Sequence, residues 1–133
     1  QIKALFPSDA AAIPYRDDYV IAAGYSFEKF RLSLEKMETL PVDMLCADHY
    51  GYITGKEAGG FISRSKSAMA VMMDVLLQAL EQENSIENAA ALLVNRHYEK
   101  RPDYFVAPEI LLGTYTQMLK QFSRTHEKGG RLI

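Results

Sequence analysis

This chain of 133 residues contains a single cysteine and no long apolar run, and both facts limit what the protein can be. Its single cysteine, Cys46, excludes an internal disulfide framework and is typical of a reducing compartment. No apolar run reaches the roughly 20 residues that a membrane-spanning helix needs. No basic segment followed by an apolar one stands at the beginning, as a leader would require. We therefore expect a cytoplasmic protein without a membrane role.

Strong charge of either sign is also missing. The formal net charge is -2 and the sequence pI is about 5.9. Positive residues are scattered, apart from "RHYEKR" at 96–101 and a basic tail, so nucleic acid is not an expected partner. With 48% hydrophobic and 24% charged residues, the composition is that of one globular domain with a modest core. The chain begins with Gln1 instead of methionine, and we interpret it as a fragment of a longer protein.

The first half of the sequence alternates strand and helix patterns. Residues 2–6, "IKALF", predict a strand that ends at Pro7, and residues 42–48 predict a buried strand. Residues 10–24 resemble a loop, although "YVIAA" at 19–23 could hold a short strand. Ser26 is a suitable N-cap for a helix, and helical periodicity resumes after residue 48. This alternation predicts a sheet covered by helices, an α/β (α+β) fold. The helix after Ser26 has one apolar stripe, formed by Phe27, Phe30, Leu34 and Met37.

From residue 60 onward the pattern is helical only. A long helix ends near "EQEN", Ser85 caps a second helix that stops before Pro102, and Pro108 begins a third that ends at Gly129-Gly130. We divide the chain into residues 1–60 and a helical extension at 61–133, with the long helix shared by both parts. The apolar stripes of the three helices are Ile62, Met69, Met72, Met73, Leu76 and Leu80; then Ile86, Ala89, Ala90, Leu93, Val94 and His97; then Leu111, Tyr115, Met118 and Phe122.

Two residues with metal-ligating side chains follow the two predicted strands. Asp9 comes after "IKALFPS" and His49 after "MLCAD", 40 positions later. In sheets covered by helices, ligands collect beyond the carboxyl ends of the strands. If the two strands are parallel neighbours, Asp9 and His49 converge there. A carboxylate and a neutral imidazole suit zinc, iron or manganese.

These segments carry a resemblance to a known family. "ALFPSDA", followed by "LPVDMLCADHYGYITGKEA", resembles the C-terminal half of a metallo-β-lactamase-fold hydrolase, and the match covers residues 2 to about 65. The resemblance implies the C-terminal half of an αββα sandwich, followed by a helical C-terminal extension. It also implies that Asp9 is the carboxylate bridging two metal ions and that His49 is the last histidine ligand. The segment "DHYG" departs from the commoner Gly-His-Gly form of the family.

The other ligands of that family are not in this chain. Its His-x-His-x-Asp-His cluster, and one further histidine, belong to an N-terminal half that the sequence does not contain. His97 and His126 stand in no such cluster and lie in the predicted helical extension. We therefore expect a metal-dependent hydrolase in the full-length parent, with zinc, iron or manganese as its cofactor. This chain alone is expected to be inactive, to contain no catalytic residues of its own and to bind metal weakly or not at all.

Each of these residues also has an alternative interpretation. Asp9 could be an ordinary turn or helix cap after a proline. Asp48 could cap the turn or orient the neighbouring histidine by a hydrogen bond. Cys46 is expected to be a buried small hydrophobe, and His97 a structural residue on an apolar helix face.

Two partner predictions follow from the two functional hypotheses. Half of a sandwich would expose a sheet edge and apolar surfaces. Its partners would be the missing N-terminal half of the same domain or further copies of this chain. Such copies could exchange segments with one another. The alternative is a non-catalytic module in which residues 60–128 form a helical dimerisation or docking unit with a methionine-rich face.

Overall fold

The computed structural model of the chain describes residues 1–24, 26–47 and 51–127 and has a mixed α+β fold. A 3-10 turn at Ser8–Ala10 follows the first strand. The strands are β1 (Ala4–Leu5), β2 (Ile13–Tyr15), β3 (Asp18–Val20), β4 (Met44–Ala47) and β5 (Gly51–Thr54). The helices are α1 (Phe27–Glu38), α2 (Gly55–Gln82), α3 (Ile86–Lys100) and α4 (Pro108–Glu127).

The strands form two small sheets. The three-stranded sheet has the order β1-β4-β5, with β1 parallel and β5 antiparallel to β4. Strands β2 and β3 form a separate antiparallel hairpin. Its tight turn contains Arg16 at a φ of 52°, and Pro14 fits β2 because the hairpin has two edges and no central strand.

The expectation of no strand between residue 48 and the next helix is wrong, because β5 precedes α2. Gly51 and Gly55, with φ of 78° and 64°, bound this strand and take the left-handed backbone that favours glycine. The prediction that residues 10–24 form a loop is also wrong over β2. The short strand that "YVIAA" could hold is present at its first two residues, Tyr19 and Val20, which belong to β3.

The predicted helix after Ser26 is confirmed as α1. Its apolar stripe is buried, with Leu34 fully covered. In β4 only Leu45 is buried, so the expectation of a buried strand and of a buried Cys46 is corrected. The cause is the two-residue alternation of a strand, which places Leu45 and Cys46 on opposite faces.

The two faces of the three-stranded sheet differ in burial. Leu45 is paired with Leu5 on one side and Ile53 on the other, and this inner face contains the fully buried Leu45. The opposite face, here called the open face, consists of Ala4, Met44, Cys46, Tyr52 and Thr54. None of these five residues is buried.

The chain divides into two compact units. One comprises Gln1–Ala22 and Glu28–Val71, and the other comprises Ala23–Phe27 and Met72–Ile133. The division therefore falls inside α2, which contributes residues to both units. In the first unit Phe61 is fully buried, and the ring of Tyr19 meets it edge-on at 5.4 Å.

The second unit is built from helices. The predicted cap of α3 is confirmed, since the Ser85 hydroxyl accepts a hydrogen bond of 3.1 Å from the Asn88 N–H. His97 is buried, as the stripe of α3 predicts, and its Nδ1 lies 3.0 Å from the Tyr115 hydroxyl of α4. Leu111, Met118 and Phe122 of the α4 stripe are buried as well. The predicted end of this helix at Gly129-Gly130 lies outside the described residues.

Over the described ranges, no helix is both long and apolar enough to cross a membrane.

The Ser85 cap yields a stability prediction. Replacing Ser85 with alanine removes the acceptor of the Asn88 N–H, and we expect a loss of about 1 kcal/mol in the free energy of unfolding, measured by urea titration. Ser85→Asn is the matched control, because asparagine caps helices as well as serine does. An equal loss in both variants would show that the cap is not the cause.

Candidate functional site

The candidate site is the edge of the three-stranded sheet beyond the carboxyl ends of β1 and β4. These strands are parallel, and Ala4 pairs with Met44 and Leu5 with Leu45. Each residue of β1 is therefore paired with the residue of β4 that lies 40 positions later in the sequence. Asp9 and His49 are separated by the same number of positions. Both predicted ligands stand four positions beyond the last pair between β1 and β4, Leu5 and Leu45.

Hydrogen bonds at the opposite edge fix this register. The backbone N–H groups of Asp43 and Met44 donate to the Lys3 carbonyl at 2.9 and 3.2 Å. The Lys3 N–H donates in return to the Asp43 carboxylate at 3.0 Å. Three bonds around one residue therefore hold the start of β1 against the start of β4, so that neither strand can slip along the other without losing them.

Asp9 lies in the turn that follows β1. The Ala10 N–H donates to the carbonyl of the buried Pro7 at 3.0 Å, and this closes the 3-10 turn. Pro7, not Asp9, occupies the N-cap position, and no side chain caps the turn. The Asp9 side chain is exposed, so its carboxylate is accessible to an ion or a partner.

The chain after Asp9 is anchored to α2. Ala11 and Ala12 are buried, and the Ala12 N–H donates to the Ser65 hydroxyl at 3.3 Å. Ser65 is itself completely buried. This contact fixes the backbone three residues beyond Asp9 and thereby limits where the carboxylate can move.

The second predicted ligand cannot be placed. Asp48 and His49 lie outside the described residues, so their interpretations as cap and ligand stay predictions. Their nearest described neighbours, Ala47 and Gly51, are cross-strand partners in β4 and β5.

The charged side chains near the β2–β3 hairpin pack on tyrosine rings. The Arg16 guanidinium lies 5.4 Å from the centre of the Tyr15 ring, and that of Arg64 lies 5.4 Å from the centre of the Tyr19 ring. Arg64 also donates to the Glu57 carbonyl at 2.9 Å. Such contacts orient the guanidinium groups without forming a reactive cluster.

Tyr98 of the second unit has a raised pKa. Burial raises the pKa of the Tyr98 phenol above 10.0, and the negative charge of Glu109 adds to the effect. The phenol therefore stays neutral near pH 7 and donates to the Val106 carbonyl. This is a structural hydrogen bond and not an activated nucleophile.

The metal-ligating side chains of this chain fit part of a metal site. Within 1–24, 26–47 and 51–127, no three histidine, cysteine, aspartate or glutamate side chains are grouped so that they could hold an ion. The Asp9 carboxylate is a suitable oxygen ligand for zinc, iron or manganese. His97 is buried against Tyr115 in the second unit and does not join it. A complete site would need ligands from beyond the described residues.

An open hollow of about 550 Å³ lies in the second unit near the connection between α2 and α3. Apolar Leu77 and Leu80 line it together with Glu81 and Glu83. The sequence patterns did not predict it, because it depends on how the helices pack.

Ser65 is another feature that the sequence analysis missed. It lies on the apolar stripe of α2, three residues after Ile62 and four before Met69, and all three are buried. A polar residue on such a stripe needs a hydrogen-bond partner, and this was the available signal.

Comparison with known proteins identifies no relative. No protein-family profile matches the sequence, and none of the curated proteins is significantly similar to it.

The Ser65 contact can be tested directly. Ser65→Ala leaves the buried Ala12 N–H without its acceptor, and we expect roughly 1–3 kcal/mol of lost stability in urea unfolding. Ser67→Ala is the matched control, since Ser67 is exposed on the same helix and bonds only to the Ser63 carbonyl. We expect the control to be neutral or slightly stabilising. Equal behaviour of the two variants would contradict the anchoring role.

Proposed function

We propose that this chain is the C-terminal portion of a metallo-β-lactamase-like, metal-dependent hydrolase. Asp9 and His49 would be its contribution to a metal site whose other ligands come from an N-terminal half. The observation that carries the proposal is the β1–β4 register, which relates residues 40 apart in the sequence. Asp9 and His49 have that spacing and follow the carboxyl ends of parallel neighbours.

Two further observations support the proposal. The Asp9 carboxylate is exposed, and the chain beyond it is anchored through Ser65. The single free cysteine supports a cytoplasmic location for the parent.

The chemistry is limited to what these residues can do. Bound metal would supply Lewis-acid chemistry here, by making water more acidic near neutral pH. Asp9 would hold and orient ions through its carboxylate oxygens, and His49 through one ring nitrogen. Neither residue is proposed to transfer a proton. The substrate class is not part of the proposal, because one fold hosts many hydrolytic reactions.

The first test is the metal content of the parent protein, purified without chelator. We expect zinc, iron or manganese to be bound and hydrolysis of an ester, thioester or lactam to depend on it. Asp9→Asn should lower both metal content and hydrolysis at least about tenfold, because it removes a charged ligand. Asp17→Asn is the matched control: Asp17 is exposed in the turn of the β2–β3 hairpin, outside the proposed site. A parent free of metal and of hydrolytic activity would refute the proposal.

The second test uses this chain alone. Since it supplies two ligands at most, we expect zinc added to the purified chain to be lost on dialysis, as measured by elemental analysis. Retention of one or more zinc ions per chain would contradict the division of the site between two halves.

The alternative, a non-catalytic helical interaction module, is favoured by one observation. Ile110 of α4 is 64% exposed and is available to contact a partner. The methionine-rich face gives it less support, because Met69 is buried and Met72 and Met73 are half-buried. A parent without metal, together with loss of self-association in Ile110→Ser, would favour this module.

A further inference from the structure

The open face of the three-stranded sheet is apolar where a solvated face is usually polar. An exposed sheet face normally carries polar side chains that alternate with the buried ones. Here Met44 and Cys46 of β4 and Tyr52 of β5 occupy neighbouring positions, and Tyr52 is 70% exposed. Ile2 and Phe6, which share the parity of Ala4 and flank β1, are 69% and 71% exposed.

This surface carries no charge. The five residues of the open face, with Ile2 and Phe6, include no acidic or basic side chain. The only hydroxyls are those of Tyr52 and Thr54. Two such surfaces can therefore approach without like-charge repulsion and without the desolvation of an ionised group.

The area of the surface decides what could cover it. Side chains of this size at about 70% exposure present roughly 150 Å² each, so Ile2, Phe6 and Tyr52 together with their half-buried neighbours offer on the order of 500 Å². Two copies would bury about 1,000 Å² in total, which is the lower limit for a specific interface. The area therefore suits a weak pair of identical chains.

We propose that a second copy of this chain covers the open face, with the two sheets packed face to face around a two-fold axis. In such an isologous pair the same residues stand on both sides of the contact. Stacked sheets lie about 10 Å apart, so side chains of the two faces interdigitate. Cys46 lies on β4, the central strand, and its counterpart in the other copy would be close to the axis. This inference does not rest on the proposed hydrolase function.

The test combines sedimentation with cross-linking of the purified chain. We expect the sedimentation-derived mass to rise from one chain to two between roughly 1 µM and several hundred µM. A short bis-maleimide should join two chains, and only through Cys46, because the chain has no other cysteine. Phe6→Ser and Tyr52→Ser should each raise the dissociation constant at least about tenfold and lower the cross-linked yield in proportion.

Val71→Ser is the matched control, since Val71 is 62% exposed but lies on α2, outside the open face. It should leave the dissociation constant unchanged. Circular dichroism of each variant checks that the exposed substitutions leave the fold intact. A single-chain mass at every concentration would overturn the proposal. A dimer that persists in Phe6→Ser and Tyr52→Ser, as an exchange of segments would produce, would overturn it as well.

Discussion

The parallel pairing of β1 with β4 is the interaction on which the rest of the account depends. Strand β1 is only two residues long, and the mutual hydrogen bonds between Lys3 and Asp43 hold it in register. This pairing brings the N-terminal segment to the same sheet edge as a segment 40 residues later. Without it Asp9 would be anchored only from the residues that follow it, through Ala12, and the sheet would be a two-stranded hairpin of marginal stability.

The pairing also separates two surfaces with different uses. At the carboxyl edge, the exposed Asp9 lies in a closed turn and precedes a backbone segment fixed to Ser65, an arrangement suited to a ligand that must keep its position. The open face of the same sheet is apolar and uncharged. The metal proposal concerns the edge and the self-association proposal concerns the face, so either can fail without the other.

The sequence predicted those elements that have a strong local signal. The stripe of α1 and the Ser85 cap were foreseen because helical periodicity and capping act within a few residues. Strand β5 was missed because it is four residues long between glycines whose positive φ no pattern announces. The β2–β3 hairpin was missed because Pro14 and the charged turn residues suggested a loop.

The burial of Cys46 was misjudged for a different reason. An apolar run can be a strand covered on both faces or a strand covered on one, and only its neighbours decide which. Likewise, the hydrogen bond between the Ala12 N–H and the Ser65 hydroxyl joins residues that are 53 positions apart, so no local sequence pattern predicts this bond. The proposed convergence of Asp9 with His49 also depends on a non-local pairing. Its strand pairing is present in the structure, whereas His49 itself lies outside the described residues.

The distance between positions 9 and 49 tests the central claim most directly. Spin labels on cysteines at these two positions, in a chain with Cys46→Ser, would report it by electron paramagnetic resonance. Since the flanking strands are neighbours about 4.8 Å apart, the account predicts a label separation below about 20 Å. A separation beyond about 30 Å would contradict it, because no shared metal site could then be built from the two residues.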